Sequence, residues 1–443
     1  MASIPQVADA VRTVLTTDAD RIAHESGFVQ RDSKLGGAEF AQTLVFGWLA
    51  NPDATLEELA QTAATLGVAI TPQGLDQRFT PEAARCLEGG LPQAMQQVVR
   101  VAQVAIPLLR RFTAVYIQDS TQVQLPAALA GVWAGSGGGA QAPDASAALK
   151  LQVRLELNSG ELSGPFLQDG RASDRSGPTQ QAALPAGSLR LADLGYFALE
   201  VVRAIGEHQA YWLTRGQAGT QVLDAQGQGL DLAPWLAKQA GPVVDCAVQL
   251  GGRLRLPCRL VAVRVPPAVA NRRRQHRQAA ARRRGQAVSQ ERLRVADWTL
   301  FCTNVPLALL SGHEVLVVAR VRWQSEWLFK LWKSQGQLAH SRSTQPWRVR
   351  CEVYAKLLAL LVQHWLVVLS LWTSADRSWT KAAQTIRKHA LHLASAFVRG
   401  AAALRTALRI VRRALVAGCR LNKRKKVPGT FQLLLAVTEE KLA

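Results

Sequence analysis

Asp119 closes the run FTAVYIQD, and Asp193 closes SLRLAD. Both runs are short and rich in aromatic, β-branched or leucine residues, and read as buried strands. Open α/β sheets carry their working side chains at the C-terminal ends of strands, so these two acids are candidates for chemistry. An aspartate in such a place also serves as a turn or helix-cap residue. A third carboxylate, Glu326, lies in VVARVRWQSEWLFKLWK (317–333). Read as one helix, this stretch gathers Arg322, Glu326, Lys330 and Lys333 within an arc of about 80°, opposite Val321, Leu328 and Trp332. Such a face is ordinarily a solvated, ion-paired surface, but here two strand-end aspartates give the glutamate partners. Carboxylate oxygens are the ligands that hard divalent cations take. A pair of such ions stabilises both the attacking and the leaving oxygen of an in-line displacement at phosphorus. Arg322, Lys330 and Lys333 would grip the neighbouring phosphates, the arginine bidentately. The chain has eight histidines, and none stands in a Ser/His/Asp or Cys/His pattern that would compete.

Composition points the same way. The 443 residues carry a net charge of +21, an excess supplied mainly by arginine, and a chain this basic meets a polyanion, with nucleic acid first and an anionic membrane second. Apolar content of 48% is ample for large cores, and the length allows about three domains. The six cysteines show no CxxC pairing, which predicts free thiols in a reducing cytoplasm. The N-terminus lacks an apolar run of signal-peptide length. The stretch 357–372 is apolar but short and interrupted by Gln363 and His364, so it reads as a buried core helix and not a membrane span.

Positioning these groups falls to elements that change character along the chain. Residues 1–105 read as helical. Thr55 opens one helix through a capping box to Glu58, and Thr71-Pro72 and Thr80-Pro81 open two more. Helix, short Gly-containing turn and helix is the outline of a helix-turn-helix DNA reader. Residues 106–216 alternate strands and helices: a strand over 112–118, a Gly/Ala/Ser-rich loop over 130–146 without the GK[ST] of a phosphate-binding loop, and a hairpin over 150–168. A helix over 178–185, a strand over 188–192, a helix over 197–206 and a strand over 210–216 follow. That order predicts a mixed sheet with the first strand central and parallel to the later ones. Residues 217–305 read as a β-rich insertion. It includes ANRRRQHRQAAARRRG, expected as a surface segment whose Arg272, Arg273 and Arg274 meet phosphates. Residues 306–372 return to the core, and 373–443 read as a basic helical C-terminal region for dimerisation or DNA contact, ending in Lys423, Arg424, Lys425 and Lys426.

The spacing R-x3-E-x6-K at Arg322, Glu326 and Lys333 resembles the Y-R-E-K signature of bacterial insertion-sequence transposases of the DDE type, whose core is ribonuclease-H-like. YIQDST (116–121) and LADLGYF (191–197) are similar to that family's first- and second-aspartate strands. DWTLFCTNVP (297–306) resembles the strand that returns from its β-rich insertion. The resemblance covers roughly 30–370. It implies an α/β fold with helical N- and C-terminal domains, and Asp119, Asp193 and Glu326 as catalytic ligands of Mg²⁺ or Mn²⁺, in two ions. It implies further that Arg322, Lys330 and Lys333 hold transposon-end DNA and that Trp298 stacks a flipped base. The implied protein is cytoplasmic and nucleoid-associated, with no membrane partner. It would hydrolyse phosphodiesters at inverted ends and transfer strands into target DNA, as a homodimer in the end-paired complex. The signature's tyrosine falls on Ala319. A catalytically inactive, DNA-binding relative is therefore the alternative reading.

Overall fold

A computed structural model of the chain describes residues 2–31, 34–102, 106–135, 146–216, 219–283, 285–374, 377–421 and 430–439. Most of the Gly/Ala/Ser-rich loop and the cluster Lys423 to Lys426 lie outside the described residues. Nine strands occur among the described residues: β1 (Val115–Leu125), β2 (Ala147–Glu156), β3 (Leu162–Asp169), β4 (Leu189–Ala192), β5 (Tyr211–Arg215), β6 (Val222–Leu223), β7 (Val243–Leu250), β8 (Leu256–Arg264) and β9 (Trp298–Thr303). The chain forms two compact units, one of residues 1–105, 120–172 and 324–428, the other of 106–119, 173–323 and 429–443. β1 gives its first half to the second unit and its second half to the first.

In the second unit the strands run β1-β4-β5-β9-β8-β7-β6. β1, β4 and β5 are parallel, while β9, β8, β7 and β6 add antiparallel. The fold is thus α/β with a mixed sheet, and the first strand is parallel to the later ones, as the element order predicts. The β-rich stretch after residue 216 continues this sheet, because β9 returns beside β5 with Leu213 opposite Thr303. The arginine-rich segment is a 17-residue helix, Pro267–Arg283, and not an irregular surface segment. Between its prolines and Gly285 the run is mostly Arg, Ala and Gln, good helix formers that outweigh charge repulsion on an exposed helix.

The first unit is mainly helical, with strand order β3-β2-β1. Its N-terminal helices start where the sequence sets them. Thr55 and Glu58 form a reciprocal capping box at Leu56–Thr65, and Thr71 and Thr80 cap helices Pro72–Asp76 and Pro81–Gln96, each with proline in the first turn. The apolar stretch at 357–372 belongs to helix Pro346–Leu371, the one helix among the described residues long and apolar enough to cross a membrane. Its most apolar window is 94% buried within the protein, so it is a core helix. All six cysteines are free thiols.

That helix carries a buried histidine. His364 Nε2–H donates to the Gly160 carbonyl at 2.8 Å, in a turn where Gly160 has φ +80° and a Cβ would meet the Trp372 ring at 2.8 Å. Burial pulls the His364 pKa down to about 4, although this hydrogen bond opposes the shift. Between pH 6.5 and 4 the unfolded chain therefore binds a proton that the folded chain refuses. Stability from this group is complete above pH 6.5 and falls as the pH drops through that window, by about 3 kcal/mol in total. Urea unfolding across this range is expected to show the decline, and His364→Gln to flatten it; equal slopes in both proteins would contradict the assignment.

Candidate active site

β1 and β4 run parallel with Tyr116 opposite Arg190 and Gln118 opposite Ala192, the last pair in register. Asp119 is the next residue on β1, and Asp193 is the first residue beyond the end of β4. The last paired residues, Gln118 and Ala192, directly precede the two acids, which puts both at the same end of the β1–β4 ladder. Asp119 is 9% exposed. β1 runs on to Leu125, so Asp119 lies where β1 passes beyond β4 and not at the strand's end as expected. The strand continues through STQVQL, in which Gln122 to Leu125 alternate polar and apolar residues.

Asp193 heads the 3₁₀ turn Leu194–Tyr196. Its carbonyl accepts the Tyr196 N–H at 3.0 Å, but its side chain makes no capping hydrogen bond. The ordinary structural use of a turn aspartate is thus not the one made here. Asp119 Oδ2 accepts a hydrogen bond from Arg322 Nη1–H at 3.1 Å, with both side chains largely out of solvent. Arg322 reaches it from the end of helix Gly312–Val321, which Ser311 and Glu314 start with a capping box. Glu314 in turn takes the Arg111 guanidinium at 3.0 Å, tying this helix to the segment that leads into β1. The second unit therefore brings Asp119, Asp193 and Arg322 together.

The stretch 317–333 is not one uniform helix. Helix Gly312–Val321 ends at Arg322, helix Trp323–Lys330 follows at once, and residues Leu331–Gln335 form a π turn. A π turn advances by a different angle per residue, so the arc of a uniform α-helix holds neither across Arg322 nor beyond Lys330. Glu326 and Lys330 belong to the first unit and are exposed, as is Trp327, whose ring lies 5.2 Å from Lys330 Nζ. Lys333 is also exposed, yet desolvation by the surrounding protein lowers its pKa. Among the described residues, no three His, Cys, Asp or Glu side chains are gathered closely enough to hold a metal ion. The donor chemistry of the two aspartates still fits a hard divalent cation: two carboxylates at the same end of the β1–β4 ladder, one of them not used as a cap.

The arginine-rich helix spends part of its charge on its own anchorage. Arg273 donates to the Trp298 carbonyl at 3.1 Å and to Thr299 Oγ1 at 2.9 Å, and Arg274 pairs with Asp297 at 2.5 Å, while Arg272 is exposed. Trp298 is buried, 4% exposed, beside Ala262 and Leu236, and the Arg264 guanidinium covers its ring at 4.5 Å. A base stacking on that face would have to displace Arg264. A cavity of about 1300 Å³ within this unit is lined by Trp298 and by Arg215, Arg273, Arg277 and Arg292. Burial lowers the pKa of Arg273, helped by Arg215 and Arg277, and that of Arg277, helped by Arg292 and Arg215.

Sequence reasoning missed the residues beneath the two acids. Arg190, Gln118 and Gln180 are buried and joined by hydrogen bonds. The available signal was a polar residue inside each apolar strand pattern, Gln118 in VYIQD and Arg190 in SLRLA.

An α/β enzyme acting on nucleic acid is the class that this sheet, the two carboxylates beside the end of the β1–β4 ladder and the basic charge define. Residues 110–362, more than half of the chain, match the family described as "Transposase DDE domain". The chain belongs to this DDE transposase family, enzymes that act on DNA and depend on divalent metal. It is 26% identical over 381 residues to the transposase for insertion sequence element IS231F of Bacillus thuringiensis subsp. israelensis, covering 81% of this chain and 79% of that protein. It is 23% identical over 379 residues to the transposase for IS1151 of Clostridium perfringens, covering 80% and 78%. The mixed sheet with flanking helical regions is consistent with the ribonuclease-H-like fold of such transposases.

Proposed function

We propose that the protein cuts DNA at the ends of an insertion sequence and joins the freed 3′-hydroxyl to target DNA, using Asp119, Asp193 and Glu326. The observation that carries this reading is the placement of two carboxylates directly after the last paired residues of β1 and β4, one held by Arg322 and the other not used as a turn cap. Asp119 and Asp193, with Glu326 as the third carboxylate of the sequence motif, would hold Mg²⁺ or Mn²⁺, as two ions. When bound there, the metal would activate the attacking oxygen and stabilise the leaving one. Arg322 offers its guanidinium to a phosphate in exchange for Asp119, and Lys330 and Lys333 add charge along the same motif. Hydrolysis and strand transfer need no different site, since only the attacking oxygen changes.

The helices of residues 1–105 and exposed Arg272 are the proposed end-binding surfaces, with Trp298 as the proposed stacking residue. A homodimer holding two paired ends is the proposed working form, within the nucleoid. The domain roles follow: 1–105 binds DNA, 106–216 with 306–372 is catalytic, 217–305 is a β-rich insertion, and 373–443 serves dimerisation or DNA contact.

Incubating the full-length protein with DNA that carries the element's ends and Mg²⁺ is expected to nick at the ends and join them to target DNA. Glu326→Gln should reduce nicking at least a hundredfold; cleavage at an unchanged rate in that variant would reject the assignment. Ala319, which lacks a phenol for the phosphate, favours a second reading, a DNA-binding relative without cleavage. That protein would bind the ends tightly and leave them intact in the same assay.

A further inference from the structure

Arg190 is a cation on β4 with only 4% of its surface exposed, and nothing in the proposed chemistry uses it. Its Nε–H donates to Gln118 Oε1 at 2.8 Å, and its Nη2–H donates to Gln180 Oε1. Each amide passes the connection on. Gln118 Nε2–H donates to Thr179 Oγ1 at 2.7 Å, and Gln180 Nε2–H donates to the Tyr196 carbonyl at 2.8 Å. Gln118 is the residue before Asp119. Tyr196 closes the 3₁₀ turn that Asp193 heads. One guanidinium therefore reaches the side chain of the residue before Asp119 and, through one amide, the turn that Asp193 heads.

Burying a guanidinium costs several kcal/mol of desolvation even where its partners are in place, and an apolar side chain of similar bulk would serve a purely structural core as well or better. A fully connected buried network fixes geometry more tightly than apolar packing, because its members must stay in hydrogen-bonding range to avoid stranding a charge. Supports of this kind behind metal-binding residues are where small errors in ligand spacing are prevented.

We propose that Arg190 is a positioning residue that sets the spacing of the Asp119 and Asp193 carboxylates. This rests on the reading of those two acids as metal ligands. Arg190 lies on the face of β4 opposite Asp193 by strand alternation, so it acts on the acids through the backbone and touches neither substrate nor metal.

The test uses the full-length protein and Mn²⁺, with free Mn²⁺ followed by electron paramagnetic resonance in the absence of DNA. Arg190→Met keeps an unbranched stem of similar character and removes the charge and the hydrogen bonds. It is expected to weaken Mn²⁺ binding about tenfold to a hundredfold, and to lower kcat on end DNA while KM stays within about twofold. Arg190→Lys should recover part of the metal affinity. Gln180→Met and Gln118→Leu each cut one arm and should give smaller losses; they also carry the test should Arg190→Met fail to fold. Wild-type Mn²⁺ affinity and kcat in folded Arg190→Met, or in both glutamine variants, would overturn the proposal. So would a loss confined to KM. Asp119→Asn separates the two levels of the argument. If Asp119→Asn loses Mn²⁺ and Arg190→Met does not, the positioning role fails alone; if Asp119→Asn keeps Mn²⁺, the metal-ligand reading fails and the positioning role falls with it.

Discussion

Asp119→Asn is expected to abolish DNA cleavage, with a fall of about a thousandfold or more, while the protein remains folded and still binds DNA. Asparagine has the same shape and keeps an oxygen that can accept the Arg322 hydrogen bond, so β1 and the end of helix Gly312–Val321 should hold together. What is lost is the negative charge. Metal assistance supplies several kcal/mol to phosphoryl displacement, and each 1.4 kcal/mol is a factor of ten in rate. Asp193→Asn should give a loss of the same order, since it removes the second carboxylate beside the end of the β1–β4 ladder. Asp169→Asn is the contrasting case, because Asp169 accepts the Ala134 N–H and so has a structural task. Single-turnover nicking of end DNA in Mg²⁺ measures all three. Retention of a tenth of wild-type activity in Asp119→Asn would exclude this carboxylate from the chemistry.

Arg322→Ala is expected to move two quantities in opposite directions. Its guanidinium pairs with Asp119 at 3.1 Å in a partly buried setting, so a divalent cation approaching that carboxylate competes with an internal one. Alanine removes the competitor, and Mn²⁺ affinity of the DNA-free protein should rise about tenfold, equivalent to one moderately strong charge-assisted hydrogen bond. The phosphate contact disappears at the same time, so cleavage of end DNA should fall about a hundredfold at saturating metal. A rise in metal affinity alone would leave the phosphate role unsupported. A fall in both would mean that Arg322 helps to assemble the metal-binding carboxylates and does not compete for them.

Much of this architecture is written in local patterns. YIQD and SLRLAD announce two strands ending near acids, because aromatic, β-branched and leucine residues suit a covered sheet. Thr55, Thr71 and Thr80 announce helix starts through a hydroxyl that must satisfy a backbone N–H. Other features depend on long-range partners that a one-dimensional pattern does not encode. Asp119 lies within β1 because β2 supports the strand beyond the point where β4 stops. The face drawn for residues 317–333 breaks at Arg322 and changes pitch after Lys330, and neither event has a glycine or proline to mark it. Arg190 and Gln118 are polar interruptions of apolar strand patterns. Their meaning depends on Gln180 and Thr179 in helix Pro178–Gln181, which brings two amide and hydroxyl partners to the same face.

The helix Pro267–Arg283 changes what the net charge of +21 stands for. Arg273 and Arg274 have already committed donors to Trp298, Thr299 and Asp297, so they still attract a polyanion from a distance but hold few hydrogen bonds in reserve for it. Binding to DNA releases one condensed counterion for each phosphate that is neutralised in contact, and not for each arginine in the sequence. The protein should therefore be drawn to DNA as a strongly basic one, yet weaken with rising salt as one with fewer contacts than its composition suggests.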